Sequence, residues 1–151
     1  MLFDLEESQG EWFYFFNSRI DQATGETVYD NPVKDARVKV RSISAFFEEA
    51  LSKRKREFQF VVNPKTRGME RVAYFPELSS EEANQQRGDA WDYAITGLEG
   101  FKDAKTKADL KCDRETKLKL MKNPAFNRFI ARCFQFLASS GIQGKEAEEK
   151  N

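Results

Sequence analysis

Proton transfer and metal ligation near neutral pH most often fall to histidine, and this 151-residue chain contains none. Its two cysteines, Cys112 and Cys133, stand 21 residues apart without the close spacing of a metal site or a redox dithiol. They read as free thiols of a reducing compartment, serving as small buried apolar residues. Adjacent carboxylates occur at Glu48-Glu49 and Glu81-Glu82, but neighbours on a helix diverge instead of converging on a substrate. All four read as solvated or capping residues. Between Asp103 and Glu115 acidic and basic residues alternate irregularly, without the ordered oxygen ligands and fixed glycine of a calcium loop. No Gly-rich loop is built to cradle phosphate, and no Ser or Cys has a visible base. The expectation is a protein that is not an enzyme, uses no cofactor or metal, and acts by binding other macromolecules.

Charge points the same way. Lys53-Arg54-Lys55-Arg56 has the density of a nucleic-acid patch, but 25 basic residues balance 25 acidic ones and remove the bulk attraction to phosphate. A solvated basic helix end is the simpler reading, and nucleic-acid binding is not expected. The charge is zoned, with 11 basic against 5 acidic residues from Lys34 to Arg71. From Val72 to Ala104 the ratio is 2 to 7, and from Lys105 to Lys145 it is 10 to 3. Such zones set the orientation of a partner.

The elements that position these groups follow from pattern. Residues 1–10 read as an acidic lead-in, and Trp12 to Phe16 has the aromatic composition of a strand. Thr27-Val28-Tyr29 is its expected hairpin partner across the turn residues of Asn17 to Gly25. That hairpin superficially resembles the second half of a WW domain, but Tyr29 holds the tryptophan position and the turn is too long, so it is assigned to the core. Ala36 to Arg41 alternates apolar and basic residues, burying Val38 and Val40 on one face and showing Arg37, Lys39 and Arg41 on the other. Ser42 or Ser44 can cap a helix through Phe46, Phe47 and Leu51. Strands follow at Phe58 to Val62 and Met69 to Phe75, around the turn Asn63-Pro64-Lys65.

Ser79 and Glu82 form a capping box for a helix to about Ala94. Leu98 and Phe101 lie in an extended segment that turns near Thr106 and returns through Leu110 and Cys112. Asp113 caps a helix to Met121, and Asn123-Pro124 opens the last one, with Phe126, Phe129, Ile130, Cys133, Phe134 and Leu137 in one stripe. Ser139-Ser140-Gly141 is expected to end it, leaving a disordered tail over residues 142–151. These elements predict one α+β domain over residues 11–141, a small antiparallel sheet from the N-terminal half packed against three or four helices. With no basic and apolar leader after Met1 and no apolar run of about 20 residues, a cytosolic protein without a membrane span is expected.

The C-terminal half carries a resemblance. Gly97-x-x-Gly100-Phe101-x-Asp103, then Leu110-x-Cys112-x-Arg114-Glu115-x-Lys117-x-x-Leu120-x-x-Asn123-Pro124-x-Phe126, resembles the tail assembly chaperones of long-tailed bacteriophages over residues 88–138. Leu98 stands where that family has tryptophan, and Ala104-Lys105 replaces its turn glycine. The resemblance implies a non-catalytic protein of the bacterial host cytoplasm, absent from the mature virion. Its implied partners are the tape measure protein, tail tube subunits and a longer, frameshifted form of itself, since Gly144-Lys145 can be encoded by a slippery run of G and A. Self-association is open to it as well. Phe129, Phe134 and Phe136 are the expected partner-binding residues, because the final helix carries more phenylalanine than one buried face needs. Two other readings stay open: a tail or neck component retained in the virion, and a nucleic-acid-binding regulator using the basic zone from Lys34 to Arg71.

Overall fold

The computed structural model describes residues 10–150, with side chains placed over 10–139, so the acidic lead-in lies, Gly10 apart, outside the described residues. The alternating segment forms β4 (Arg37–Val40), and Val38 and Val40 are completely buried, as the alternation requires. β4 is the middle strand of an antiparallel sheet in the order β1-β4-β7, between β1 (Glu11–Tyr14) and β7 (Ile95–Glu99). Phe13, Val38 and Leu98 line up across its inner face. On the outer face the Arg37 guanidinium lies 4.1 Å from the centre of the Trp12 ring while its Nε donates to Glu99 at 2.7 Å. The α+β class is as expected, but β7 comes from the C-terminal half, so the main sheet is not wholly N-terminal.

The expected pairing of the aromatic run with Thr27–Tyr29 does not form. β1 stops at Tyr14, and β3 (Thr27–Tyr29) pairs instead with β2 (Ser18–Ile20). Continued alternation would send Phe15 and Phe16 to opposite faces. Both rings instead pack edge-on against Phe129, with centroids 5.2 and 5.0 Å away. The chain leaves the ladder to allow this, its backbone satisfied by Phe15 N–H donating to the Ala36 carbonyl and Val33 N–H donating to that of Phe15.

Three hairpins are closed by one turn chemistry, built on an Asx residue in first place and Thr in fourth. Asp21, Asn63 and Asp103 each donate their N–H to the carbonyl of the sixth residue, at 2.8, 2.9 and 2.9 Å. Their side-chain oxygens accept from the third residue, Ala23, Lys65 or Lys105, within 2.8 Å. Thr24, Thr66 and Thr106 each accept the sixth residue's N–H at 3.3 Å. The fifth residue must be left-handed: Gly25, Arg67 and Lys107 have φ of 74, 58 and 61°. The turns join β2 to β3, β5 (Glu57–Val62) to β6 (Met69–Tyr74), and the two sides of the Lys102–Asp109 bridge.

Four helices complete the described residues: α1 (Ser44–Lys53), α2 (Ser80–Ala94), α3 (Arg114–Met121) and α4 (Pro124–Lys150). Ser79 caps α2 by accepting from the Glu82 N–H at 3.1 Å. Asp113 caps α3 through the Thr116 N–H at 2.9 Å, a bond that lowers its carboxyl pKa, and Asn123 accepts from the Phe126 N–H at 3.1 Å. The cap position of α1 is Ile43, so neither Ser42 nor Ser44 caps it, although Ser42 Oγ accepts from the Ser44 N–H at 3.3 Å. α4 does not stop at Ser139-Ser140-Gly141, and the expected disordered tail is helical to Lys150. Its two interior glycines, Gly141 and Gly144, cost the helix about 1 kcal/mol each, against which the Ala, Glu and Lys residues that follow are good helix formers. α3 is held to α2 by Lys117, whose buried ammonium donates to the Asp92 carbonyl and carboxylate at 3.0 and 3.1 Å.

The core gathers Val38, Val40, Trp91, Ala94, Ile95, Phe126, Phe129, Ile130 and Cys133 between the sheet, α2 and α4. Two left-handed glycines separate backbone strain from steric exclusion. A Cβ on Gly25 would meet nothing within 4 Å, whereas one on Gly100 would stand 1.8 Å from the Asp35 carbonyl oxygen. Gly25→Ala is therefore expected to lower stability by about 1 kcal/mol through φ alone. Gly100→Ala, which forces the backbone apart, is expected to cost more than about 3 kcal/mol. Urea denaturation of the two variants measures the difference.

Candidate partner-binding surfaces

The final helix divides the three expected binding residues among three environments. Phe129 is completely buried against Phe15, Phe16 and Phe126, so its assignment to partner binding is corrected: it is a core residue. Phe134 is half-buried and packs on the same core. Phe136 is 54% exposed and meets Phe13 edge-on at 5.7 Å. Its ring walls an open groove of about 400 Å³ between α4 and the edge strand β1, lined also by Trp12, Phe16, Arg132 and Cys133.

A larger apolar surface lies on β5 and β6. In their antiparallel register Phe58 stands opposite Ala73, Phe60 opposite Arg71, and Val62 opposite Met69. Cross-strand partners share a face, so these six side chains form one side of the hairpin. Phe58, Phe60, Val62 and Met69 are 53, 67, 59 and 64% exposed. Among the described residues, neither strand packs substantially on any element but the other. An isolated two-stranded hairpin is marginal in water, so local devices must hold it. The Asn63 turn closes its tip, the Arg71 guanidinium lies 3.8 Å from the Phe58 centroid, and Tyr74 Oη donates to Glu57 at 3.0 Å. At the base, Arg54 and Arg56 both flank the Phe75 ring with centroid distances of 5.3 Å, and Arg54 also donates to the Pro76 carbonyl.

The hairpin's charge is as lopsided as its apolar surface. Glu57 and Glu70 both fall on the face opposite the phenylalanines, Glu57 bonded to Tyr74 and Glu70 to the Asn63 amide. Arg71 is the one charged residue on the apolar face. Lys65 and Arg67 sit in the tip, and Lys53 to Arg56 lead into the base. The sequence marks these strands but not their exposure. The signal present was Phe58-x-Phe60-x-Val62, an alternation identical in kind to that of a buried strand.

The two thiols have separate fates. Burial pushes the Cys133 thiol up to about 12, and it also raises that of Cys112, which nevertheless reaches solvent. The expectation of a buried apolar role thus holds for Cys133 and fails for Cys112. Among the described residues no cluster of His, Cys, Asp or Glu could hold a metal ion, and no helix is long and apolar enough to cross a membrane. No family model, curated protein or solved structure matches the chain. Iodoacetamide at pH 8 is expected to add one adduct to the native protein, at Cys112, and a second only in urea. Native labelling of Cys133, read by mass spectrometry, would mean that α4 lifts from the sheet and exposes the core.

Proposed function

We propose that the chain is a non-catalytic assembly chaperone of a long-tailed bacteriophage, binding the tape measure protein, and tail tube subunits with it, while the tail is built. The observation that carries this reading is the β5–β6 face, where four large apolar side chains are held in water on a hairpin that the core does not need. A face of this kind serves to cover apolar surface on another molecule. The choice of partner comes from the resemblance over residues 88–138, which also makes a longer frameshifted form of the chain a second partner. Work of this kind belongs in the cytoplasm of the bacterial host and ends before the virion is complete.

Co-expression with the tape measure protein of the same phage tests the reading. The soluble fraction of that protein is expected to rise several-fold and to co-purify with the chain. Phe58→Ser combined with Phe60→Ser is expected to abolish both effects while far-UV circular dichroism stays native. An unchanged soluble fraction sinks the proposal, and recovery of the chain from purified virions reassigns it to a tail or neck component.

The coding DNA supplies an independent check. A slippery heptamer at Gly144-Lys145 followed by a long overlapping frame is expected. An uninterrupted ordinary reading frame there removes the longer form from the scheme.

A further inference from the structure

Resting on the reading that the hairpin is the docking surface, we propose that its Phe58, Phe60, Val62 and Met69 face receives an acidic amphipathic helix of the partner protein. The shape argues for a helix. An extended segment would join a strand edge, whereas an apolar sheet face is covered by a helix or another sheet laid upon it. Six residues of strand span about 20 Å, the length of about 13 helical residues, and two strands with their side chains make a strip about 10 Å wide, the diameter of one helix.

Charge selects which helix. The apolar face carries Arg71 at its middle, with Lys65 and Arg67 in the turn at the tip and Arg54, Lys55 and Arg56 in the segment leading into the base, Lys53 being paired with Glu49 at 3.0 Å. A partner approaching that face meets no carboxylate of the hairpin there, because Glu57 and Glu70 are turned to the opposite face and bonded to Tyr74 and Asn63. A helix with glutamates flanking its apolar stripe would be attracted along its whole length, and one with lysines there would be repelled. The aliphatic half of the strip, Val62 and Met69, favours a protein over a nucleic acid, which would use stacking rings throughout.

Two synthetic 18-residue helical peptides with the same Leu and Phe stripe, one with Glu and one with Lys at the flanking positions, test this against the full chain by fluorescence anisotropy. The Glu peptide is expected to bind at least tenfold more tightly, with the preference shrinking as salt is raised. Arg71→Glu is expected to erase most of the preference, and Phe58→Ser with Phe60→Ser to abolish binding of either peptide. Equal affinity for the two peptides, lost in the phenylalanine variant, overturns the acidic preference while leaving apolar docking and the chaperone reading standing. No binding of either peptide removes the hairpin as a docking surface and the chaperone reading's main support with it. Binding of a 20-nucleotide single-stranded DNA that displaces the Glu peptide and depends on Phe58 and Phe60 overturns the proposal in favour of nucleic acid.

Discussion

The packing of Phe126 and Phe129 beneath the sheet is the constraint from which most of the fold follows. Phe126 meets Phe15, Trp91, Phe101 and Phe129, and Phe129 meets Phe15 and Phe16 as well. Each such ring pair contributes about 0.5–1.5 kcal/mol beyond its area burial. Two successive turns of one helix therefore collect the segment after β1, the end of α2 and the third hairpin. The early end of β1 is a consequence, since Phe15 and Phe16 can both reach Phe129 only where the pleat is broken. The short β2–β3 hairpin follows in turn, docked on α4 by Arg128, which donates to Ser18 Oγ and to the Ser18 carbonyl at 2.7 and 2.9 Å.

The β5–β6 hairpin stands apart from that logic. Its order comes from a turn, a ladder and three arginine–aromatic contacts, so its apolar face is held open without drawing on the core. Burying Phe58, Phe60, Val62 and Met69 fully would yield on the order of 6–10 kcal/mol from area alone. Association costs of about 4–15 kcal/mol oppose it. An interface of this hairpin alone is consequently weak and reversible, a property suited to a protein that must let its partner go.

What could be read from the residues divides along a physical line. Capping at Ser79, Asp113 and Asn123 was legible because a side chain satisfies N–H groups three residues away, whatever lies elsewhere. Burial of Val38 and Val40 was legible for the same reason, since the pleat fixes their face once the strand is known. The fate of Phe15 and Phe16 was not, because it depends on Phe129, more than 110 residues away. Nor was the exposure of Phe58 and Phe60, whose alternation is the same whether a second layer covers it or not. The threefold Asx-x-x-Thr turn was in the sequence throughout, at Asp21, Asn63 and Asp103. Its shared geometry is hidden because its fifth residue is Gly only once, and Arg67 and Lys107 give no sign of their left-handed backbone.

A formal charge of zero argued against bulk attraction to nucleic acid, but that argument treats the chain as a point. At ordinary ionic strength charges act over about 8–10 Å, so a partner responds to the charge around its footprint and not to the total. On β5–β6 that local charge is all of one sign on the apolar side, because the register places both glutamates on the other. A one-residue slip of one strand past the other would bring Glu70 onto the face of the phenylalanines and Glu57 onto that of their former partners. The Asn63 turn fixes the register, and with it the separation of acid from aromatic. The same three-residue spacing from Asn63 to Thr66 that closes the hairpin therefore also decides the sign of charge its apolar face presents.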